Sequence, residues 1–181
     1  MMKKFFKIIG LVVLALLVLP LIIAIFVKKE YLVEREITIS KPKQEVFEYV
    51  KLLKNQDNFS VWAKIDPGMK KDYKGSDGTV GFVAAWDSQV KEAGKGEQEI
   101  TKITEGNRID YEIRFLKPMK GTNKAFMAFK DNNENSTSLT WGISGRMNYP
   151  MNFMLLCLNM DSMLGKDLDG GLKNLKTLLE K

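Results

Sequence analysis

The chain has no histidine and a single cysteine, Cys157. Without imidazole, Ser–His–Asp and Cys–His catalysis are excluded, and so is a zinc site built on histidine. One thiol cannot close an intramolecular disulfide and does not report a redox compartment. Cys157 stands in an apolar stretch and is expected to behave as a small buried hydrophobe. No Walker loop, dinucleotide fingerprint or metal-ligand cluster is written in the sequence, so neither a cofactor nor a metal is expected. Acidic residues are missing from the first 29 positions, where Lys3, Lys4, Lys7, Lys28 and Lys29 supply five of the six net positive charges. The remainder balances 23 Lys and Arg against 22 Asp and Glu. A nucleic-acid binder needs a concentrated cationic face, and that balance does not provide one, so no nucleic-acid partner is expected.

What is present first is an uncharged run of 20 residues, Ile8 to Val27. As a helix it extends roughly 30 Å, the thickness of a bilayer's hydrocarbon core. A secretory signal has a shorter apolar core, of about 7–15 residues, and a small-residue cleavage site. Ala24-Ile25-Phe26-Val27-Lys28 offers no such site. Pro20 would break a soluble helix, yet spanning helices tolerate proline. The expectation is a single-pass anchor through residues 8–27, within an anchor unit of residues 1–29 that has basic flanks. Three lysines and the α-amino group precede the span and two lysines follow it. The positive-inside rule then places the remaining domain, residues 30–181, on the extracytoplasmic side.

In that domain Tyr31 to Ser40 reads as a strand, with Val33, Arg35, Ile37 and Ile39 in one phase. Pro42 opens a short helix with an apolar face of Val46, Phe47, Val50 and Leu53. A second short helical segment covers Asn55 to Trp62 and points Phe59 and Trp62 inward. Thr79 to Asp87 reads as a strand with Val80, Phe82, Ala84 and Trp86 in phase. Glu97 to Thr104 follows, then the clearest alternation in the chain, Ile109, Tyr111, Ile113 and Phe115. Lys124 to Lys130 and Thr137 to Gly145 complete the set, the last with Leu139, Trp141 and Ile143 inward. Short strands joined by tight turns mean an antiparallel meander. The chain closes on one long predicted helix from Pro150 to Leu179. Its second half carries Leu164, Leu168, Leu172, Leu175 and Leu179 along one face. Its first half, Met151 to Met160, is apolar on nearly every side and should be enclosed. A sheet apolar on one face must bury that face, and the long helix is the only element large enough to do so.

This order resembles the helix-grip fold of the START-like (SRPBCC) superfamily, which includes polyketide cyclases/dehydrases and lipid-transfer domains. The carriers are Ile37-Thr38-Ile39-Ser40-Lys41-Pro42 leading into Val46-Phe47-Glu48-Tyr49-Val50, then Asn58-Phe59-Ser60-Val61-Trp62 with Asp66-Pro67. Gly94-Lys95-Gly96 before Glu99-Ile100, and the closing Gly170-Gly171-Leu172-Lys173-Asn174-Leu175-Lys176, are similar as well. The resemblance covers roughly residues 31–181. It implies an α+β fold in which a curved antiparallel sheet and a C-terminal helix enclose a cavity for a hydrophobic, lipid-like or aromatic, small molecule.

Candidate lining residues follow from the inward phases: Trp62, Phe82, Trp86, Tyr111, Phe115 and Trp141 on the strands and small helices, Met151 and Met154 on the terminal segment. Methionine side chains repack around varied apolar guests. Asp161 falls on or beside the inward face of the last helix. It is either a polar contact or general acid/base at the cavity, or a border carboxylate paired with a strand-borne cation such as Arg146 or Arg35. Gly165 and Gly170-Gly171 mark either close approach to a strand or a hinge. Three functions are open: a membrane-tethered, monomeric ligand-binding domain; a cyclase/dehydrase-type enzyme using Asp161 or a tyrosine; and a structural or interaction domain held at a membrane, with an exposed apolar patch near Met147 to Met154.

Overall fold

The computed structural model describes residues 2–181; the side chains of residues 1–3, Lys3 of the basic flank among them, lie outside the described residues. The chain forms two compact units, Met1–Tyr31 with Arg146–Met160, and Leu32–Gly145 with Asp161–Lys181.

The first unit is built on helix α1, Met2–Phe26, with Pro20 inside it. Its stretch Lys4–Phe26, 23 residues containing an 18-residue window of mean hydropathy 3.3, is long and apolar enough to cross a membrane. Nearly all its side chains are exposed, Ala24 being the buried exception. A helix end leaves carbonyls without partners. Here Asn152 fills that need, its side-chain amide donating to the carbonyls of Ala24 at 2.6 Å and Val27 at 2.9 Å. Asn152 itself is fully buried. It is the middle residue of a single 3-10 turn, Met151–Phe153, followed by the one-turn helix α4, Met154–Cys157.

The second unit holds a seven-stranded antiparallel sheet in the order β1-β7-β6-β5-β4-β3-β2. Its strands are β1 (Glu30–Ile39), β2 (Lys70–Lys74), β3 (Val83–Asp87), β4 (Lys95–Thr104), β5 (Arg108–Lys117), β6 (Gly121–Asn133) and β7 (Ser136–Arg146). From β2 onward each strand pairs with the next, as short turns permit. Between β1 and β2 lie α2 (Lys43–Lys51), the short helix α3 (Gln56–Phe59) and two 3-10 turns, Leu53–Asn55 and Trp62–Lys64. Helix α5, Met160–Leu179, ends the chain. It buries Leu168, Leu172 and Leu175 with Ile39, Phe47, Phe59, Ile109, Met127 and Leu139, none more than 1% exposed. Two ring pairs, Phe47 on Phe129 and Phe59 on Trp141, meet edge to face at 5.2 and 5.8 Å. On β4 and β5, Arg114 is ringed by Glu97, Glu99 and Glu112 at 2.6–2.8 Å, charges kept in half-exposed positions.

One of the two free margins of the sheet is occupied by the chain itself. Along β1, Lys176 of α5 donates to the Thr38 carbonyl at 2.6 Å, and the Glu180 carboxylate accepts from the Ser40 N–H. The opposite margin, β2, reads Lys-Lys-Asp-Tyr-Lys and is exposed throughout.

Four expectations need correction. The long terminal helix is broken: Leu158 adopts an extended backbone (φ −94°, ψ 120°), so α4 and α5 are separate. The segment before α5 is not enclosed; Met151, Met154 and Leu156 are exposed. Cys157 is exposed too, because it sits on α4 rather than in a core. The strand expected over Thr79–Asp87 begins only at Val83, since Gly78 and Gly81 hold left-handed backbone (φ 76° and 88°) and leave Val80 outside.

Candidate functional site

The second unit contains a cavity of about 320 Å³ lined by side chains of every strand from β2 to β7, by residues 53–63 and by Leu164 of α5. Its volume lies at the lower end of the roughly 300–1,000 Å³ usual for small-molecule sites. The apolar wall is aromatic. Trp141 of β7 meets Trp62 edge to face at 5.8 Å, and Trp86 of β3 meets Phe115 of β5 in the same way at 6.2 Å. Trp86 is fixed further by its ring N–H, which donates to the Ala93 carbonyl at 3.0 Å. All three tryptophans of the chain therefore face one void.

Small residues make the room. Ala84, Ala85 and Ala125 line the cavity where larger side chains would fill it. Gly96 lets the Trp86 ring lie flat against β4: a Cβ there would fall 2.6 Å from that ring. Gly171 does the same for Trp141 on the helix side, at 2.6 Å. The glycines of α5 thus serve close approach, Gly171 to β7 and Gly165 to Arg35 of β1. The break in the terminal segment falls elsewhere, at Leu158.

A polar rim completes the cavity. Asp57 holds Lys71 at 2.8 Å and accepts a hydrogen bond from the Tyr73 hydroxyl at 3.0 Å. Burial, and then the Asp57 carboxylate, push the Tyr73 phenol up to about 12, so near neutrality it is a donor rather than a phenolate. Lys54 lies over the Tyr73 ring, 4.7 Å from its centre. Gln56, Gln98 and Asn123 add amides to the lining. Sequence reasoning named none of these polar residues. Tyr73 sits on β2, which carries no apolar alternation, and the others show their place only once the strands are paired.

Of the residues proposed from the sequence, Trp62, Trp86, Phe115 and Trp141 are brought together in the lining. Phe82 and Tyr111 are not: both are buried in the core, Phe82 stacked on Tyr73 at 6.2 Å. The Tyr111 hydroxyl has no hydrogen-bond partner among the described residues, and burial raises its pKa well above the tyrosine range. Met151 and Met154 belong to the first unit and are exposed. Asp161 stands outside the lining. Arg35 grips both its carboxylate oxygens, at 2.8 and 2.9 Å, and turns its remaining edge to Asp169 at 3.1 Å. The guanidinium lowers the Asp161 pKa.

That pairing has a measurable acid signature. A carboxylate with a depressed folded pKa contributes stability above its unfolded value and loses it as pH falls through the folded one. The melting midpoint is therefore expected to fall below pH about 4, the ordinary aspartate value, and to fall less steeply in Asp161→Asn. Thermal scans from pH 2 to 7 check this; equal acid slopes refute it.

Residues 31–180 match the family described as polyketide cyclase / dehydrase and lipid transport. The chain belongs to this family. Its fold recurs in a protein from Chromobacterium violaceum at 14% identity, covering 83% of this chain and 97% of that one with a TM-score of 0.58. Ginseng major latex-like protein 151 from Panax ginseng is similar at 14% identity, 83% and 97% coverage and a TM-score of 0.57. DynU16, a protein of the dynemicin biosynthetic locus, matches at 14% identity and a TM-score of 0.57 over 83% of this chain and 47% of its own. At such identities the likeness is one of fold. No curated protein matches the chain.

Proposed function

We propose that the protein is a membrane-anchored binding domain that holds a small hydrophobic molecule, lipid-like or aromatic with one polar end, in the cavity of its second unit. The observation that carries this is the cavity itself, an aromatic void with all three tryptophans on its wall and one polar rim. Apolar contact supplies affinity, while Lys71, Asp57 and the Tyr73 hydroxyl orient the polar end. In this reading α1 is the single-pass anchor, supported by its length and apolar character, and the lysine excess before it favours the extracytoplasmic side for the domain. Binding is favoured over cyclase/dehydrase-type chemistry with Asp161 as acid/base, because Asp161 is held ionised away from the lining.

The test is to fill the void. Ala125 is 3% exposed and lines the cavity from β6, between Tyr111 of β5 and Ile143 of β7. Ala125→Trp is expected to weaken binding of an apolar fluorescent dye, read by energy transfer from tryptophan, at least tenfold, about 1.4 kcal/mol. A small molecule extracted from wild-type protein kept in its host lipids should be missing from the variant. Asp161→Asn should leave both readouts unchanged. Equal dye affinity in wild type and Ala125→Trp, with the fold intact, would refute the cavity as the site.

A further inference from the structure

The 14 residues from Met147 to Met160 carry no charge, and Arg146 and Asp161 bracket them. Such a segment in a water-soluble protein would be covered, yet Tyr149, Met151, Met154 and Leu156 stand exposed, Leu156 at 61%. No other described part of the chain outside α1 exposes so dense an apolar run.

What covers it follows from where it is tied. Asn152, at its centre, donates to the carbonyls of Ala24, in the last turn of the apolar helix, and of Val27, the residue that follows it. The Met147 N–H donates to the Lys29 carbonyl at 2.8 Å, just beyond that helix. The segment is thus fixed at the level where the span ends. A helix of 23 residues runs about 34 Å, a little more than the roughly 30 Å hydrocarbon core, which sets Ala24 to Val27 at its boundary. In hydrocarbon a bare helix end is costly, so a side-chain amide on those carbonyls suits this depth. Between the segment and the helix end runs a groove of about 810 Å³, walled by Ile23, Phe26, Leu155 and Leu158, with Lys28 and Glu30 on its border. Apolar walls with a cation at the border match an acyl chain below an anionic headgroup.

We propose that Met147–Met160 is a second membrane-embedded element, lying in the boundary between headgroups and acyl chains with Met151, Met154 and Leu156 toward lipid. This rests on the anchor reading of α1. Aromatic Tyr149 suits the headgroup level, and Lys28 and Lys29 lie at the same end to meet the phosphates, while Arg146 is held by Glu30 at 3.2 Å.

Cys157 is the chain's only thiol and lies within the segment, so the wild-type protein is its own reporter. The full chain, spin-labelled at Cys157, is reconstituted in vesicles of phosphatidylcholine and phosphatidylglycerol. Collision rates with oxygen, which partitions into lipid, and with a water-soluble nickel chelate are then compared. Cys157 should favour oxygen, as should a label on Leu156→Cys in a Cys157→Ser background. A label on Val13→Cys in the same background should favour it more strongly, and one on Ser88→Cys should favour the chelate. A chelate-favouring Cys157 beside a lipid-buried Val13 label would overturn this inference and leave the anchor standing. A chelate-favouring Val13 label would overturn the anchor and the inference together. Shielding from both reagents, with efficient Cys157 to Cys157 cross-linking between copies, would assign the face to a second copy and overturn the lipid assignment.

Discussion

Replacing Trp141 with alanine is expected to cost about 3–5 kcal/mol of folding stability, the usual range for truncating a buried tryptophan. In a domain of this size that is a fall of roughly 6–20 °C in melting midpoint. Trp141 is 3% exposed and forms the junction of three elements: Phe59 and Trp62 meet its ring edge to face, and Gly171 of α5 comes against it. Removal leaves two aromatic edges and the helix backbone without a partner, and β7 cannot close the gap without leaving β6. The same change enlarges the cavity. Thermal unfolding by circular dichroism, with dye binding measured below the transition, separates the two effects. A midpoint within about 2 °C of wild type would mean that the ring is peripheral.

Gly96→Val acts in the opposite sense, by adding volume where none exists. Its Cβ would meet the Trp86 ring at 2.6 Å and the Arg114 carbonyl of β5 at 2.7 Å. The ring has limited freedom, since its N–H is bound to Ala93, and the carbonyl belongs to the ladder. The expected cost is about 3 kcal/mol or more, at or beyond the upper end for overpacked sites. The Trp86→Ala background should recover only part of it, because the backbone clash remains. A double-mutant cycle reports that share directly. Full recovery would place the whole conflict in the ring, and no loss in the single variant would show that β4 and β5 separate freely.

These two sites show what a sequence can and cannot disclose. Trp62, Trp86, Phe115 and Trp141 were legible as inward residues because each lies on a segment whose apolar period is plain. The β5 alternation and the leucine stripe of α5 gave the layers for the same reason. Gly96 fell outside the strand expected over Glu97 to Thr104, whereas β4 begins at Lys95. The purpose of Gly96 depends on a ring opposite it on β3, and cross-strand register is invisible in one strand. β2 escaped notice because an all-exposed strand of lysine, aspartate and tyrosine has no apolar period to detect. The break at Leu158 escaped because Met151 to Met160 contains neither glycine nor an internal proline. For Asp161 the sequence left two readings open, a cavity acid/base and a border carboxylate with a strand-borne partner. Choosing Arg35 over Arg146 required knowing that Gly165 leaves space for the guanidinium.

The two outer strands carry a consequence for behaviour in a crowded setting. A lone strand rim invites another chain to extend the sheet, the first step toward fibres and amorphous deposits. Lysine and glutamate from the final helix take up donor and acceptor positions on one rim, and closely spaced lysines repel any visitor from the other. Copies packed side by side are thereby kept from knitting into one another, and trimming the last two residues should remove half of the first safeguard.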